Sequence, residues 1–553
     1  MSSIVIKLSY FTSIIVSVIF ITLCIILRPI LPLDETRYLS VAWDMWLSKD
    51  YIVPRLNGEL YHHKPPLLFW LINLFWNLIG VNETIARFIA PFFSLGVIIN
   101  LYIISKLLWP KNISIISFSP IILLSLLLWL ISSSLTMFDV MLTFFFTLSL
   151  VGILVTKINF FRNKIYNFLI GNTIYSVAVG FGILTKGPVI LVFAIPVYLF
   201  YFIWDIEKKK YKTYFIFYWF SGFIFSLIIF LFISLSWALY ASKLGGEEFR
   251  SALLWSQSAN RVISGMSHER EWWWYISIFP IIFFPWFFMP IIWQSIIKKN
   301  NILDQGFRFC AFIIFSSFFL LSIFADKQPH YLVPILPIVG ILISYLCSNY
   351  LHKDINKINY LPLIIIIILY IFIFFMFFIE NDFISFKKEL DHYEISLIFI
   401  IPIISISSIF YIFLRKNITL MKYIYIFSIQ NILFVIFLHL IFNIYLLERY
   451  DLQKFSEKIY SLKSNGYGVA YIGKYHGQFN FIGRIKEPLD VINGANVNKW
   501  LNSNNNNNFV VYNHRIMPDS SEIIPFFSQK FRGRTLAIWE KKYIENRLDI
   551  FKK

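Results

Sequence analysis

Charge is scarce in this 553-residue chain. Asp, Glu, Lys and Arg together make up 14% of it, against roughly 25% in an average soluble domain. A water-soluble enzyme of this size is excluded on that ground. With 58% hydrophobic and 20% aromatic residues, a disordered or fibrous chain is excluded too. Acids are scarcer than bases, 31 against 49, which leaves a formal charge of +18. A nucleic-acid-binding protein would gather such a surplus on one face. Here the bases fall in short clusters between apolar runs, the pattern of membrane topology, so no nucleic-acid partner is expected. Cysteine is nearly absent. Cys24, Cys310 and Cys347 each lie inside an apolar run and offer neither a disulfide framework nor zinc or redox spacing. They read as small packing residues. Internal repeats are not evident.

What the chain has in abundance is apolar runs of bilayer length. A span needs about 20 mostly apolar residues. The first such run, Ser9 to Leu27, lacks a small-residue cleavage site and reads as a retained anchor. Further spans are expected from near Thr84, Ser114, Met137, Gly171, Pro188, Thr213, Tyr275, Phe309, Leu332, Tyr360, Ile395 and Tyr423, about 13 in all. The run Leu67 to Ile79 is short, follows Pro65-Pro66 and contains Asn73 and Asn77, so it reads as interfacial or re-entrant. Loop charges agree. If that run does not cross, clusters such as Lys157, Arg162 and Lys164, or Lys208, Lys209, Lys210 and Lys212, all fall in cytoplasmic loops. The outside face then receives two long loops, 28–83 and 241–273, and the short turns near Asp139, Lys186 and Lys327. A transmembrane domain, 1–447, is followed by a polar segment, 448–553. Its helical stretch Leu452 to Lys463 and β-like runs at 468–472 and 509–512 suggest a small outside α/β domain. Asn504 to Asn508 is a low-complexity loop.

The unusual polar residues gather on that outside face. Asp34-Glu35 follow the anchor directly. Adjacent carboxylates there suit a metal or sugar-phosphate site, or Asp34 simply caps a helix running to about Lys49. His62-His63-Lys64 precede Pro65-Pro66, which fix the exit direction and hold Lys64 at the membrane surface, for a lipid phosphate or by snorkelling. Asp139 begins a very apolar span, where an ionisable group is costly and its default reading is functional. Lys186 interrupts an apolar stretch before Gly187-Pro188, in a site or at a hairpin tip. Arg261 and His268 lie in the second long loop, ahead of an interfacial Trp272-Trp273-Trp274 belt. In the turn Asp326 to Pro334, Lys327 and Tyr331 are donors for a phosphate oxygen.

Asp34-Glu35-Thr36-Arg37-Tyr38, the Leu56-Asn57-Gly58 … Tyr61-His62-His63-Lys64-Pro65-Pro66-Leu67 run, Leu184-Thr185-Lys186-Gly187-Pro188, Arg261 with His268, and Lys327-Gln328-Pro329-His330-Tyr331 occur in that order. This set resembles the bacterial lipid A aminoarabinose transferases. They are polyprenyl-phosphate-dependent membrane glycosyltransferases of GT-C fold, similar to the dolichyl-phosphate-mannose protein O-mannosyltransferases. The resemblance covers about residues 10 to 350. It implies a polytopic α-helical membrane protein of GT-C type. Asp34, with Glu35 beside it, would be the first-loop acid near the reacting sugar and Asp139 the second acid lining the cavity. Lys64, Arg261 and Tyr331 would hold the carrier phosphate, joined by Lys327 and Lys186. The family usually places Glu before this Lys-Pro-Pro, where it helps bind a divalent metal such as zinc. Here the position is His63, itself a zinc donor, so a site with His63 and His268 stays open.

The function so implied is an inverting transfer of a sugar, of the amino-sugar class, from undecaprenyl phosphate to a lipid A phosphate. It would occur at the periplasmic face of the bacterial inner membrane, by a monomer among membrane lipids. Two alternatives stay open. One is a protein O-mannosyltransferase-like enzyme, for which Asp34 would act as general base. The other is a lipid flippase or transporter, which would place ionisable groups at mid-span, often in repeated halves.

Overall fold

The computed structural model describes every residue except 1, 161–164, 206–212, 254–268, 298, 349, 351–360, 381–391, 415–418, 504–507, 519–523, 545–550 and 552–553. It divides into two units. One comprises 1–25, 62–68 and 83–439; the other gathers 26–61, 69–82 and 440–553. This division cuts across the boundary expected at 448, because most of the first long loop groups with the carboxyl-terminal segment.

The first unit is helical. Among the described residues, eight helices in the chain are long and apolar enough to cross a membrane, or nine if one bent pair counts as a span. The chain is thus a polytopic helical membrane protein. Most expected spans appear as continuous helices, among them Glu83–Leu108, Phe138–Phe160, Ile165–Lys186, Thr213–Ser251 and Gln305–Ile323. The expected span near Ser114 is instead a pair, Ile113–Leu123 and Leu127–Ser133, bent by 64°. The run from Tyr275 is broken into Trp274–Ile282, Trp286–Phe288 and Pro290–Ile296. Prolines 280, 285 and 290 each remove a backbone donor from that stretch, which its apolar composition conceals. The run from Pro188 yields only an 11-residue helix, Val189–Leu199.

Helices Phe138–Phe160 and Ile165–Lys186 form an antiparallel pair held close by glycine. A Cβ on Gly152 would lie 2.6 Å from the Tyr175 amide nitrogen. One on Gly171 would lie 2.5 Å from that of Thr156. In a membrane, where apolar burial does not drive helices together, such small residues let backbones approach. The pairing sets the start of one helix beside the end of the other. Each end carries a buried ion pair, Lys186–Asp139 at 2.5 Å and Lys157–Asp205 at 2.7 Å.

The second unit is α/β. Strands β1 (Arg55–Leu56) and β2 (Glu59–Leu60) make a small hairpin. Strands β3 (Val469–Ile472), β4 (Asp490–Ile492), β5 (Phe509–His514), β6 (Phe527–Phe531) and β7 (Arg534–Glu540) make a mixed sheet of order β4-β3-β5-β7-β6. Side chains alternate across a strand. Val469, Tyr471, Val511, Leu536 and Ile538 therefore join the core under helix Gln453–Ser464, which contributes Phe455, Ile459 and Leu462. Ile472, Val510, Ala537 and Trp539 join a second core with Val497 and Leu501. Both faces being covered, the central strands read as unbroken apolar runs.

Helix Leu67–Ile79 spans 13 residues, about 20 Å at 1.5 Å per residue and well short of a hydrocarbon core. Asn73, one of the two asparagines that mark it as non-spanning, donates to Ala42 O at 3.0 Å. Trp76 stacks on Phe481 of the same unit, with ring centroids 5.2 Å apart.

Candidate functional site

In the membrane unit the helix pair delivers two of the expected residues to one point. Asp139 lies in the first turn of Phe138–Phe160 and Lys186 ends Ile165–Lys186. Lys186 Nζ donates to Asp139 Oδ1 at 2.5 Å, with both side chains buried. The helix dipoles favour an anion at the first position and a cation at the second. Gly187 terminates the second helix with φ +81°, its amide donating to Ile183 O at 2.8 Å. Lys186 is therefore a member of the cluster and not a bare hairpin tip.

Three further groups converge there. Lys186 Nζ sits 4.9 Å from the Tyr331 ring centroid. Tyr331 and His330 set their rings edge to face at 4.8 Å. Lys64 Nζ lies 5.8 Å from the ring of Phe138, the residue preceding Asp139. Asp139 is within electrostatic reach of Lys186, His330 and Lys64 together. One buried carboxylate thus faces two lysines and a histidine, an arrangement suited to holding and stabilising a phosphate. His330 was not among the expected site residues. Its position directly before Tyr331 was the available signal.

Lys327 is placed differently from the phosphate contact expected of it. It is buried, and its ammonium donates to Arg270 O at 2.9 Å and to Phe324 O. Beside it, Glu269 and Asp326 form an antiparallel bridge. Burial pushes the Lys327 ammonium below its ordinary range, against the upward pull of Glu271 and Glu269. These bonds make Lys327 a tie between two chain segments.

The first-loop acids lie in the α/β unit. Asp34 opens helix Asp34–Ser48 in its first turn. The N-cap is Leu33, without a side-chain cap bond, so Asp34 does not cap the helix. Asp34 is half exposed (49%), pairs with Arg37 and accepts from Tyr38 OH at 3.3 Å. Glu35 is its opposite. It is buried, takes both terminal nitrogens of Arg28 and accepts from Leu31 N at 2.9 Å. These contacts assign Glu35 to the loop's framework rather than to chemistry. Asp44, which sequence reasoning passed over, accepts from Gly58 N at 3.0 Å, and burial pushes its carboxyl up to about 6.

Arg261 and His268 lie outside the described residues. His63 is exposed, its ring 4.5 Å from that of His62. Among the described residues no three His, Cys, Asp or Glu side chains converge as a metal site.

Residues 63–237 match the family model described as dolichyl-phosphate-mannose-protein mannosyltransferase. An undecaprenyl phosphate-α-4-amino-4-deoxy-L-arabinose arabinosyl transferase of Yersinia enterocolitica is 26% identical over 333 residues, covering 59% of this chain and 57% of that protein. An uncharacterised protein of Aquifex aeolicus is 26% identical over 336 residues, covering 60% and 62%. The matched region thus spans about three fifths of the length of these curated relatives. In fold, the chain is similar to the crystal structure of ArnT from Cupriavidus metallidurans bound to undecaprenyl phosphate. The TM-score is 0.71, at 15% identity, over 96% of this chain and 97% of that one. The apo form of that protein matches with a TM-score of 0.72. In sequence and in fold alike, the chain resembles the polyprenyl-phosphate-dependent membrane glycosyltransferases of GT-C fold.

Proposed function

We propose that this protein is an inverting glycosyltransferase. It moves a sugar, of the amino-sugar class, from undecaprenyl phosphate to a lipid A phosphate at the periplasmic face of the inner membrane. The observation that carries the reading is the convergence of Lys64, Lys186, His330 and Tyr331 on Asp139 at one end of an antiparallel helix pair. Sequence likeness to undecaprenyl phosphate-aminoarabinose transferases supports the choice of carrier and sugar class.

In the reaction an acceptor phosphate oxygen forms a bond to the anomeric carbon. The bond from that carbon to the carrier phosphate breaks, and undecaprenyl phosphate leaves. The attacking phosphate is already ionised near neutral pH, so no strong general base is needed. The difficulty is to hold two anions together and stabilise the departing one. Lys64 and Tyr331 supply that stabilisation, with Arg261 as a further carrier-phosphate contact. Asp139 orients the lysines, and Asp34 stands by the sugar or acceptor. A divalent ion held by His63 and His268 would neutralise further phosphate charge when bound. Metal analysis of purified protein, wild type against His63→Ala, tests that part.

The deciding experiment is mass spectrometry of lipid A from cells with and without this protein. A phosphate-linked sugar that appears only with the protein supports the reading. Identical spectra overturn it and favour a protein hydroxyl as acceptor. Alanine at Lys64 or Asp139 should abolish transfer while insertion persists, whereas a flippase would show altered flux of an intact lipid.

A further inference from the structure

Within the α/β unit, one loop of the carboxyl-terminal segment is pinned onto the first-loop helix. Ser40 Oγ donates to Gly477 O at 2.6 Å and accepts from Phe481 N at 3.2 Å. The approach is tight enough to require glycine: Gly477 has φ +71°, and a Cβ there would come within 2.4 Å of Leu56 Cδ1. Ser40 lies one turn beyond Arg37 on the same helix, so residues three apart share a face. The pinned loop therefore brings His476 beside Arg37.

His476 is within electrostatic reach of Arg37, Lys474 and Arg532, with Asp34 the one acid among them. Burial pushes the imidazole below its ordinary range, and the three cations push it the same way. Asp34 is already paired with Arg37, so the group keeps a surplus of positive charge. Arg37 Nε is buried with no hydrogen-bond partner among the described residues. Lys474 and Arg532 are exposed, and no ion pair among the described residues takes either. A cationic group half sunk in a folded domain, with one guanidinium edge unsatisfied, is incomplete until an anion enters it.

We propose that Arg37, Lys474, His476 and Arg532 form a binding site for a phosphate monoester, the acceptor headgroup of the transfer reaction. The carboxyl-terminal segment is then part of the acceptor site. This assignment of substrate rests on the proposed function; the anion site itself does not. Phosphate oxygens take Arg37 and Arg532 as charge-assisted donors and His476 as a hydrogen-bond donor through its ring N–H. Asp34, bound to Arg37, lies at the edge of the same group.

The test uses full-length protein in detergent or nanodiscs. Binding of phosphorylated lipid A is compared with that of lipid A stripped of its phosphates and with competition by inorganic phosphate. Arg532→Gln and Lys474→Gln are each expected to weaken phosphorylated lipid A binding about tenfold, the loss of one charge-assisted contact, and His476→Gln by less, the loss of one uncharged hydrogen bond. Binding of undecaprenyl phosphate should stay unchanged. Inorganic phosphate that competes would assign the site to the phosphate alone; failure to compete while the lipid phosphate matters would assign it to the lipid-borne headgroup. In turnover the same variants should raise the acceptor KM with kcat little altered. Wild-type affinity for phosphorylated lipid A in both exposed variants, Arg532→Gln and Lys474→Gln, overturns the site, and neither change touches the core. If the wild type binds phosphorylated lipid A through these residues yet transfers no sugar to it, the functional reading fails and the anion site stands.

Discussion

Asn57 and Leu489 are 432 positions apart and exchange two hydrogen bonds. Asn57 Nδ2 donates to Leu489 O and Leu489 N donates to Asn57 Oδ1, each at 2.8 Å. Asn480 Nδ2 adds a third bond to the same oxygen at 3.2 Å. The side-chain amide thus acts as a short piece of β-strand, closing backbone groups that strand β4 leaves open at Leu489. Asn57 also holds φ at +56°, a conformation that asparagine tolerates better than most residues. Trp43 Nε1 reaches Ile485 O at 2.8 Å in the same junction.

Replacing Asn57 by Ala should therefore destabilise the α/β unit strongly. It leaves the Leu489 amide and carbonyl buried without partners, at about 1–3 kcal/mol for each group, and adds strain at positive φ. Asn57→Asp keeps the acceptor and loses the donor, so its cost should be smaller. Thermal unfolding and limited proteolysis of the carboxyl-terminal segment check the order: wild type, then Asp, then Ala.

Asp34 and Glu35 are adjacent, yet their substitutions should differ in kind. Glu35→Gln breaks a buried pair and strands the Arg28 guanidinium, which costs about 3–5 kcal/mol. It should lower the yield of folded protein and the unfolding temperature. Asp34→Asn removes a half-exposed charge paired only locally, and such pairs contribute about 0–1 kcal/mol. It should leave folding intact and reduce sugar transfer. A folded, inactive Glu35→Gln protein would contradict the framework role.

The Lys186–Asp139 pair is oriented as well as buried. Removing either charge strands the other at the membrane surface, so Asp139→Asn and Lys186→Gln should each abolish transfer. Exchanging them, Asp139→Lys with Lys186→Asp, restores net charge but reverses both helix-end interactions. Each such interaction is worth about 0.3–1 kcal/mol. The exchanged protein should accumulate better than either single variant and remain inactive, because the carboxylate no longer faces Lys64 and His330. Expression level and transfer in membranes separate these outcomes.

How much of this was legible in the sequence depended on range. Spans such as Glu83–Leu108 announce themselves through bilayer length and mostly apolar residues, and the run Leu67–Ile79 shows itself as non-spanning through its shortness and asparagines. The span expected at Tyr275 failed because mean apolarity does not register where prolines cut a helix. Asp139 and Lys186 each stood out as charges in apolar surroundings. Their pairing depends on the approach at Gly152 and Gly171, which no local pattern encodes. Likewise, nothing local tells which of Asp34 and Glu35 finds Arg28. The grouping of 26–61 with 440–553 rests on residues such as Ser40, Trp43 and Asn57, whose partners lie more than 400 positions away.

Asp44 gives the α/β unit a pH dependence with a definite sign. Its carboxyl rises from an ordinary 3.8 to about 6, chiefly through burial, while bonds from the Gly58 and Asn57 amides pull the other way. Between those values the folded protein holds a proton that the unfolded chain has released, so stability falls as pH rises. The favourable contribution is complete below about pH 4 and gone above about pH 6. Asp44→Asn stays neutral throughout, and its side-chain oxygen still accepts from Gly58 N. The variant should therefore unfold at a higher temperature than wild type at pH 7 and converge with it near pH 4. Unfolding temperatures of the purified proteins across pH 4 to 8 measure this directly. A wild type whose stability rises through that window would mean that the buried carboxylate is better solvated, or better paired, than its contacts with Gly58, Asn57 and Arg55 provide.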